Sequence, residues 1–169
     1  MEIILQYVAW GFLVVGLTAN VVAKAAMTLD GKIATEGGES KWITGPEAGK
    51  EAMRLRFSAD AIIAGVNTIL ADDPSLTCRD SRVDDRILKP IRRLVLDTRG
   101  RTPMTSRVVS DAHSDHTIIV VGRDAPAIRV DRLRRRVEVW RAPVKGGHIN
   151  LKWLLRRLGR ESVTHLLIE

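Results

Sequence analysis

The chain has 169 residues, 45% of them apolar and 28% charged, which is typical of one globular domain with a substantial core. Its 27 basic and 20 acidic residues leave a net charge of +7, a balance that favours an anionic partner such as a phosphorylated small molecule. The basic residues are scattered, which argues against a nucleic-acid interface. Cys78 is the only cysteine, so an internal disulfide is excluded, and the histidines lack the spacing of a metal site, so no metal is predicted.

The N-terminus is an almost uncharged apolar segment, residues 1–20. The run IILQYVAWGFLVVGLTANVVA (3–23) approaches the roughly 20 apolar residues that a membrane-spanning helix needs. It lacks the basic n-region of a secretory signal, since Glu2 is the only early charge. Two interpretations stay open: a membrane anchor, or a displaced linker whose last part is a buried strand.

After residue 20, short apolar runs alternate with helical stretches. Strands are predicted at 21–27, 60–65, 92–97, 116–122, 137–140 and 163–169, and helices at 46–57 and 150–160. Thr44 and Glu47 fit a capping box at the first helix, and Pro74 ends a short helical turn at 67–71. The strands at 60–65, 116–122 and 163–169 are apolar on both faces, as in a sheet covered on both sides. This order predicts an α/β domain with a mostly parallel central sheet flanked by helices.

Common nucleotide-binding and nucleophile motifs are missing: the sequence has no G-x-G-x-x-G, no G-x-x-x-x-G-K-[ST] and no G-x-S-x-G. Ligands in open α/β sheets bind beyond the carboxyl ends of the strands. Polar or glycine-bearing segments follow three predicted strands, at 28–38, 65–72 and 97–101. A nucleotide at this edge would be held by backbone amides at helix starts and by Arg and Lys side chains.

Residues 27–45, MTLDGKIATEGGESKWITG, form a polar stretch rich in turn residues. Asp30 and Gly31 are a good turn pair, and Gly37 and Gly38 allow a backbone to approach a ligand closely. On these residues alone the stretch is a hairpin-like loop that leads into a helix, whose N-terminus favours anions. A ligand-binding loop and a plain connection both stay open on this evidence.

Three segments together resemble one enzyme family. They are AKAAMTLDGKIATEGGESKWITG (23–45), LRFSADAIIAGVNTILADDPSLTCR (55–79) and PIRRLVLDTRGRTP (90–103). All three are similar, in the expected order, to the reductase domain of the bifunctional riboflavin-biosynthesis deaminase/reductase, and the resemblance spans residues 21–169. It implies a dihydrofolate-reductase-like fold, a cytoplasmic location and a homodimer.

The resemblance also implies an activity. Members of this family use NADPH to reduce the ribosyl group of 5-amino-6-(5-phosphoribosylamino)uracil to a ribityl chain. Hydride passes from the nicotinamide to C1′ of the sugar, while the protein orients both ligands, stabilises developing charge and excludes water. The partner implied is a phosphorylated small molecule, in agreement with the net charge.

The functional positions of the family are carried over residue by residue. Lys24 and Asp72 are predicted as catalytic. Substrate contacts are predicted at Ser40, Arg56, Leu76, Arg79 and Glu169. Cofactor contacts are predicted at Ala26, Trp42, Thr68, Asp72 and Thr98. On this interpretation, the loop of residues 27–45 closes over both ligands.

Several residues near these positions have more than one interpretation. Arg56 is a candidate for binding the substrate phosphate, but a basic helix residue can equally belong to a solvated face. Asp73 is expected to be the turn residue before Pro74. Arg99 or Arg101 is a candidate for the 2′-phosphate of NADPH on charge alone.

Other conspicuous residues are predicted to have no functional role. Cys78 is expected in a loop, as an incidental residue. The run RLRRRV (132–137) is predicted as a solvated helix face. Trp140 and Trp153 are predicted to pack in the core or at its edge.

The sequence departs from the family at both ends. The glycine-rich segment that cradles the cofactor phosphates in the family does not follow Glu169, so we expect the domain of residues 21–169 to be C-terminally incomplete and to have little reductase activity. A membrane helix before residue 21 would leave almost no tether between the bilayer and Lys24, which favours a displaced linker at residues 1–20. The zinc deaminase signature, H-x-E with P-C-x-x-C, is absent.

Three alternatives to the riboflavin-pathway reductase stay open. The first is a reductase of the same fold that acts on another pterin or pyrimidine, which substrate assays would reveal. The second is an inactive fragment, which would oxidise no NADPH. The third is a membrane-tethered basic module, which would partition into detergent.

Overall fold

The computed structural model describes residues 5–14, 17–28, 30–37, 45–80 and 86–169. The strands are β1 (Leu5–Val14), β2 (Leu17–Ala26), β3 (Ala61–Gly65), β4 (Cys78–Asp80), β5 (Arg86–Lys89), β6 (Arg92–Leu96), β7 (Thr117–Gly122), β8 (Glu138–Ala142), β9 (Val144–Lys145), β10 (His148–Ile149) and β11 (His165–Ile168). The helices are α1 (Pro46–Ser58), α2 (Val66–Asp72), α3 (Arg107–Ser110), α4 (Ala127–Arg134) and α5 (Leu151–Arg160). A turn of 3-10 helix, Ser114–His116, precedes β7.

The central sheet has the strand order β1-β2-β11-β3-β6-β7-β8. β1 pairs antiparallel with β2, and each later neighbour in this order is parallel. The last strand of the chain, β11, lies between β2 and β3, so it brings Glu169 to the carboxyl edge of the sheet, between the ends of two other strands. The hairpins β4–β5 and β9–β10 lie outside this sheet. The prediction of a mostly parallel sheet is confirmed.

Helices cover both faces of the sheet. Ile62 and Ala64 of β3 pack into one apolar cluster, to which α2, α3 and α4 contribute. Ala61 and Ile63, the alternate residues of the same strand, pack into a second cluster with α5. Every residue of β7 is buried. The expected burial on both faces is therefore confirmed for β3 and β7, and in β11 for Leu166 and Leu167 but not for Ile168, which is exposed.

The helix α1 begins at Pro46, as predicted, but its cap differs from the prediction. Its N-cap is Gly45, whose position has no side-chain hydrogen bond to the helix, so the capping box of Thr44 and Glu47 is wrong. Pro46 stands at the first helical position, where its fixed φ suits a helix and its missing N–H costs nothing. Glu47 instead pairs with Lys50 at 2.7 Å, and Thr44 lies outside the described residues.

The helix α4 was not predicted as an element. Of the run 132–137, predicted as a solvated helix face, only residues 132–134 lie in α4. Arg132 and Arg134 are exposed, as expected for a solvated face, while Leu133 is buried in the core. Trp140 is buried and Trp153 is half-buried, which confirms their packing roles. Asn150 caps α5 by accepting a hydrogen bond from the backbone N–H of Trp153 at 3.1 Å.

Residues 5–14 of the apolar N-terminal segment form β1, which pairs with β2 from Leu5 opposite Ala26 to Val14 opposite Leu17. Among the described helices, none is both long and apolar enough to cross a bilayer. The division of the chain at residue 20 stays a prediction.

Candidate functional site

The carboxyl edge of the sheet carries an ion pair between two residues predicted to bind substrate. Arg56, on the last turn of α1, donates from Nε to Glu169 Oε1 at 3.0 Å and from Nη2 to Oε2 at 2.6 Å. Its Nη1 donates to the backbone carbonyl of Thr77 at 2.9 Å. The two side chains are only 11% and 10% exposed, so Arg56 does not belong to a solvated helix face.

The segment of residues 73–79 runs beside this pair and carries two more predicted substrate contacts. Leu76 is buried and adopts a left-handed conformation with φ of 50°. A branched-chain residue in this conformation stores strain, which is a feature of ligand-binding loops. Arg79 follows in β4 and is half-buried. Arg56 holds this segment through Thr77, so Leu76 and Arg79 lie within two residues of a position that Arg56 contacts.

Lys24 enters the same region through β2. The last pair of β2 and β11 is Ala23 opposite Ile168, and Lys24 and Glu169 each follow directly in the chain. Neighbouring positions in a parallel ladder place their side chains on the same face of the sheet. The half-buried Lys24 is therefore next to Glu169 in register. Ala26, a predicted cofactor contact, is the last residue of β2.

A cleft of about 650 Å³ opens at the ends of β3 and β6. It is lined by Gly65, Val66, Asn67, Leu96, Thr98, Arg99, Arg101, Gly147, His148, Ile149 and Leu151. Apolar and basic groups thus share one concave surface, as is typical of small-molecule sites. Thr98 was predicted as a cofactor contact, and Arg99 and Arg101 as candidates for a phosphate.

The loop that carries Thr98 is tightly held. The buried Asp97 accepts hydrogen bonds from the backbone N–H and the hydroxyl of Thr102 at 2.7 and 2.8 Å, which close the loop at its base. Gly100 has a φ of 65° and donates its N–H to the Asp97 carbonyl at 3.0 Å. The loop therefore turns sharply and points Arg99 and Arg101 towards the cleft rather than into the core.

Gly122, at the end of β7, holds the loop of Thr98 by a backbone hydrogen bond. Its N–H donates to the Thr98 carbonyl at 3.0 Å. A Cβ at this position would stand 3.0 Å from that carbonyl oxygen and 2.9 Å from Cγ2 of Val144. Only glycine fits here without displacing the loop or the β9–β10 hairpin.

Thr68 and Asp72 lie four residues apart on α2, and this spacing places them on one face of the helix. Thr68 is half-buried and Asp72 is exposed. Asp73 caps the C-terminus of α2 in a left-handed conformation, which confirms it as a turn residue. Ser40 and Trp42 lie outside the described residues, so their predicted contacts and the closing of their loop stay predictions.

Two supporting groups were missed by the sequence analysis. The first is Arg93, which is fully buried in β6 and donates to Asp111 Oδ2 and Oδ1 at 2.6 and 2.9 Å and to the Ser75 carbonyl at 2.8 Å. The second is the β9–β10 hairpin, whose strands have two residues each. An arginine in a strand signals an exposed face rather than a buried one, and two-residue strands leave no periodic pattern.

The prediction that Cys78 lies in a loop is wrong. Cys78 opens β4 beneath α1, fully buried, and its Sγ is 3.9 Å from the Met53 carbonyl. Burial raises the pKa of the thiol, so Cys78 is not an activated nucleophile. The absence of a functional role for Cys78 stays a prediction.

Comparison with known proteins points to one family. The model of the RibD C-terminal domain matches residues 19–169. A 2,5-diamino-6-ribosylamino-4(3H)-pyrimidinone 5′-phosphate reductase from Methanothermobacter thermautotrophicus is 43% identical over 149 residues, which are 88% of this chain and 66% of that protein. The riboflavin biosynthesis protein RibD of Actinobacillus pleuropneumoniae is 37% identical over 150 residues, 88% of this chain and 38% of that protein.

Among solved structures, Acinetobacter baumannii RibD superimposes with a TM-score of 0.64 at 30% identity, over 88% of this chain and 38% of that one. The chain thus spans about two thirds of the archaeal relative and well under half of the bacterial ones. The resemblance stated from the sequence is confirmed: the chain belongs to the family of RibD C-terminal, reductase domains.

Proposed function

We propose that this chain reduces the ribosyl group of 5-amino-6-(5-phosphoribosylamino)uracil to the ribityl chain of riboflavin precursors, with NADPH as the hydride donor. The observation that carries the proposal is the meeting of the Arg56–Glu169 pair with the segment of residues 73–79, beside a cleft large enough for a nucleotide. One edge of the sheet therefore offers two adjoining ligand sites.

The substrate is proposed to bind on the side of the Arg56–Glu169 pair. Arg56 and Arg79 supply guanidinium groups that suit a phosphate, and Leu76 supplies a backbone N–H in a left-handed turn. Glu169 accepts hydrogen bonds and fixes the plane of the Arg56 guanidinium. Ser40 is proposed as a further substrate contact on the strength of the family resemblance.

The cofactor is proposed to bind in the cleft, with Thr98, Thr68, Ala26 and Trp42 as contacts. The cleft fits a dinucleotide because it combines apolar walls, glycines at Gly65 and Gly147, and the cations Arg99 and Arg101. A reductase of this family implies a nicotinamide cofactor, and the bound nicotinamide supplies hydride. The choice of NADPH over NADH rests on the basic side of the cleft, where Arg99 offers a partner for the extra phosphate.

The reaction forms a C1′–H bond and breaks the bond between C1′ and the ring oxygen, which takes up a proton. Lys24 is proposed to hold that proton, because its register position next to Glu169 places it at the substrate side of the edge. Asp72, at the exposed end of α2, is proposed as the second polar group near the reacting carbon. Exclusion of water by the loop of residues 27–45 completes the proposal.

A second candidate substrate is 2,5-diamino-6-ribosylamino-4(3H)-pyrimidinone 5′-phosphate, which carries an amino group at ring position 2 where the uracil compound carries oxygen. The archaeal relative with 43% identity is named for this reaction. Both compounds have the same phosphoribosyl group, so both suit the same Arg56 site.

The test is to incubate the chain with NADPH and each phosphorylated pyrimidine in turn and to follow cofactor oxidation and the ribityl product. We expect product from the uracil compound at the higher kcat/KM, and rapid turnover would contradict the expectation of little reductase activity drawn from the sequence. Faster turnover of the diamino compound would favour the second candidate, and oxidation with neither would favour an inactive domain. A homodimer and a cytoplasmic location stay predictions from the family resemblance; light scattering of the purified chain tests the first.

A further inference from the structure

We propose that the β9–β10 hairpin is half of a phosphate subsite, in which His148 and Arg99 together hold the 2′-phosphate of the cofactor. The proposal rests on the proposed function, since it assumes that the cleft takes the adenosine end of a nicotinamide dinucleotide. The cleft is lined from two sides, by Thr98, Arg99 and Arg101 of one loop and by Gly147, His148 and Ile149 of the hairpin.

Arg99, rather than Arg101, is the available guanidinium on the first wall. Nη2 of Arg101 donates to Oδ1 of Asn67 at 2.9 Å and so ties the loop to α2. The Arg99 side chain is exposed, and among the described residues no hydrogen bond or ion pair engages its guanidinium. Its backbone is fixed instead, because Nη1 of Arg129 donates to the Arg99 carbonyl at 3.3 Å. The backbone of Arg99 is thus fixed in place, while its side chain is free to bind a ligand.

His148 occupies the matching position on the second wall. The hairpin is closed by the pairs His148–Lys145 and Ile149–Val144, and by the Asn150 N–H, which donates to the Pro143 carbonyl at 2.9 Å. Ile149 is buried and anchors the hairpin, while His148 is exposed and lines the cleft. Gly146 and Gly147, with φ of 59° and 80°, form a turn without side chains that would block a ligand.

The chemistry of these groups fits a phosphomonoester. A guanidinium from one wall and an imidazole N–H from the other donate hydrogen bonds to different oxygens of one phosphate, and such charge-assisted bonds are stronger than neutral ones. Lys145 lies directly opposite His148 in the hairpin register and so adds positive charge on the same face. A cofactor without the 2′-phosphate would make none of these bonds.

The test measures the dissociation constants of adenosine 2′,5′-bisphosphate and of 5′-AMP by calorimetry at constant ionic strength. We expect the wild-type chain to prefer the bisphosphate by about tenfold or more, which corresponds to 1.4 kcal/mol or more. His148→Ala and Arg99→Gln should each remove most of this preference, because each weakens the bisphosphate more than 5′-AMP. His148→Arg should retain it, because a donor for the phosphate is restored.

Arg132→Gln is the matched control, since Arg132 is an exposed arginine of α4 that does not line the cleft. An unchanged preference in His148→Ala would overturn the role of the hairpin, and an unchanged preference in Arg99→Gln would overturn the choice of Arg99. Equal binding of both nucleotides by the wild type would contradict the subsite but leave the cofactor site in place. Binding of neither would contradict the cofactor site as well.

Discussion

At the scale of single residues, the main feature of the proposed substrate site is the buried ion pair between Arg56 and Glu169. Three donors of Arg56 are satisfied by Glu169 and by the Thr77 carbonyl, and both charges are close to nine-tenths buried. Loss of one partner therefore leaves the other charge buried and uncompensated.

Arg56→Ala should lower the free energy of unfolding by about 3–5 kcal/mol, because the Glu169 carboxylate is left buried without its partner. The same variant should lose measurable affinity for the phosphorylated substrate. Urea unfolding measures the first effect and calorimetric titration the second.

Arg54→Ala is the control on the same helix. Arg54 pairs with Glu51 at 2.6 Å on the surface and is 75% exposed, so its loss should cost less than about 1 kcal/mol and leave substrate affinity unchanged. If the two variants lose equal stability and equal affinity, the Arg56 pair has no special role.

Gly122→Ala should weaken cofactor binding about tenfold, a change of 1.4 kcal/mol. The added Cβ would lie 3.0 Å from the Thr98 carbonyl and 2.9 Å from Val144, so the loop or the hairpin must move. Gly159→Ala in α5 is the control, because its Cβ would meet no atom within 4 Å. A titration with NADPH decides between them: equal affinities would show that Thr98 does not depend on Gly122.

The sequence predicted which residues belong to the site more readily than it predicted what each of them contacts. Family resemblance named Arg56 and Glu169, but their 113-residue separation gave no sign that they bind each other. Gly122 looked like any strand-end glycine, because the contact that requires it comes from Thr98 in another loop.

At the scale of elements, the segment of residues 73–79 is held between two arginines. Arg56 binds the Thr77 carbonyl from α1, and Arg93 binds the Ser75 carbonyl from β6. Arg93 is oriented by Asp111, which follows α3, and it also donates to the His113 carbonyl at 2.5 Å. Asp111, which follows α3, thus fixes Arg93, and Arg93 in turn fixes the segment that carries Leu76.

Asp111→Ala should destabilise the chain by about 3–5 kcal/mol, because Arg93 would keep its charge in a buried position. It should also raise the KM for the substrate more than the KM for the cofactor, since Arg93 supports the Leu76 loop and not the cleft. Asp115→Ala, at a site that is 72% exposed, should change neither value. Equal KM changes for the two ligands would mean that Arg93 has only a structural role.

Long apolar strands and the two longest helices could be predicted, because burial on both faces leaves a continuous apolar run in the sequence and burial on one face leaves a periodic pattern. The short hairpins could not, since strands of two to four residues are too short to show a pattern. The start of α1 at residue 46 could be predicted, but its cap could not, because Pro46 sets the start by backbone geometry, which outweighed the side-chain signal of Thr44 and Glu47.

At the scale of the whole molecule, two carboxylates link distant parts of the chain and make its stability depend on pH. Asp60 joins the starts of β3 and β11 by accepting hydrogen bonds from Thr164 and His165. Burial alone would raise the pKa of Asp60, but these hydrogen bonds outweigh it and lower the pKa. Burial would likewise raise the pKa of Asp111, but hydrogen bonds from Arg93 and from the His113 backbone outweigh it and lower the pKa.

We therefore expect stability to fall as the pH drops below about 4. Both carboxylates favour the ionised form in the folded state, so their contribution is complete above the unfolded pKa of about 3.9 and is lost as the pH falls through the lower folded pKa. Melting temperatures measured down this range should fall less steeply for Asp60→Asn than for the wild type. An equal fall in melting temperature with pH for the two proteins would contradict the role of Asp60.

The parts of the chain meet at the carboxyl edge of the sheet, where β2, β11, β3 and β6 deliver Lys24, Glu169, the cleft glycine Gly65 and Thr98. The most direct measurement uses NADPH with deuterium in place of both hydrogens at C4 of the nicotinamide, together with 5-amino-6-(5-phosphoribosylamino)uracil. We predict a ribityl product that carries one deuterium at C1′. An unlabelled product, or no ribityl product from either candidate pyrimidine, would contradict the proposal that this edge carries out hydride transfer.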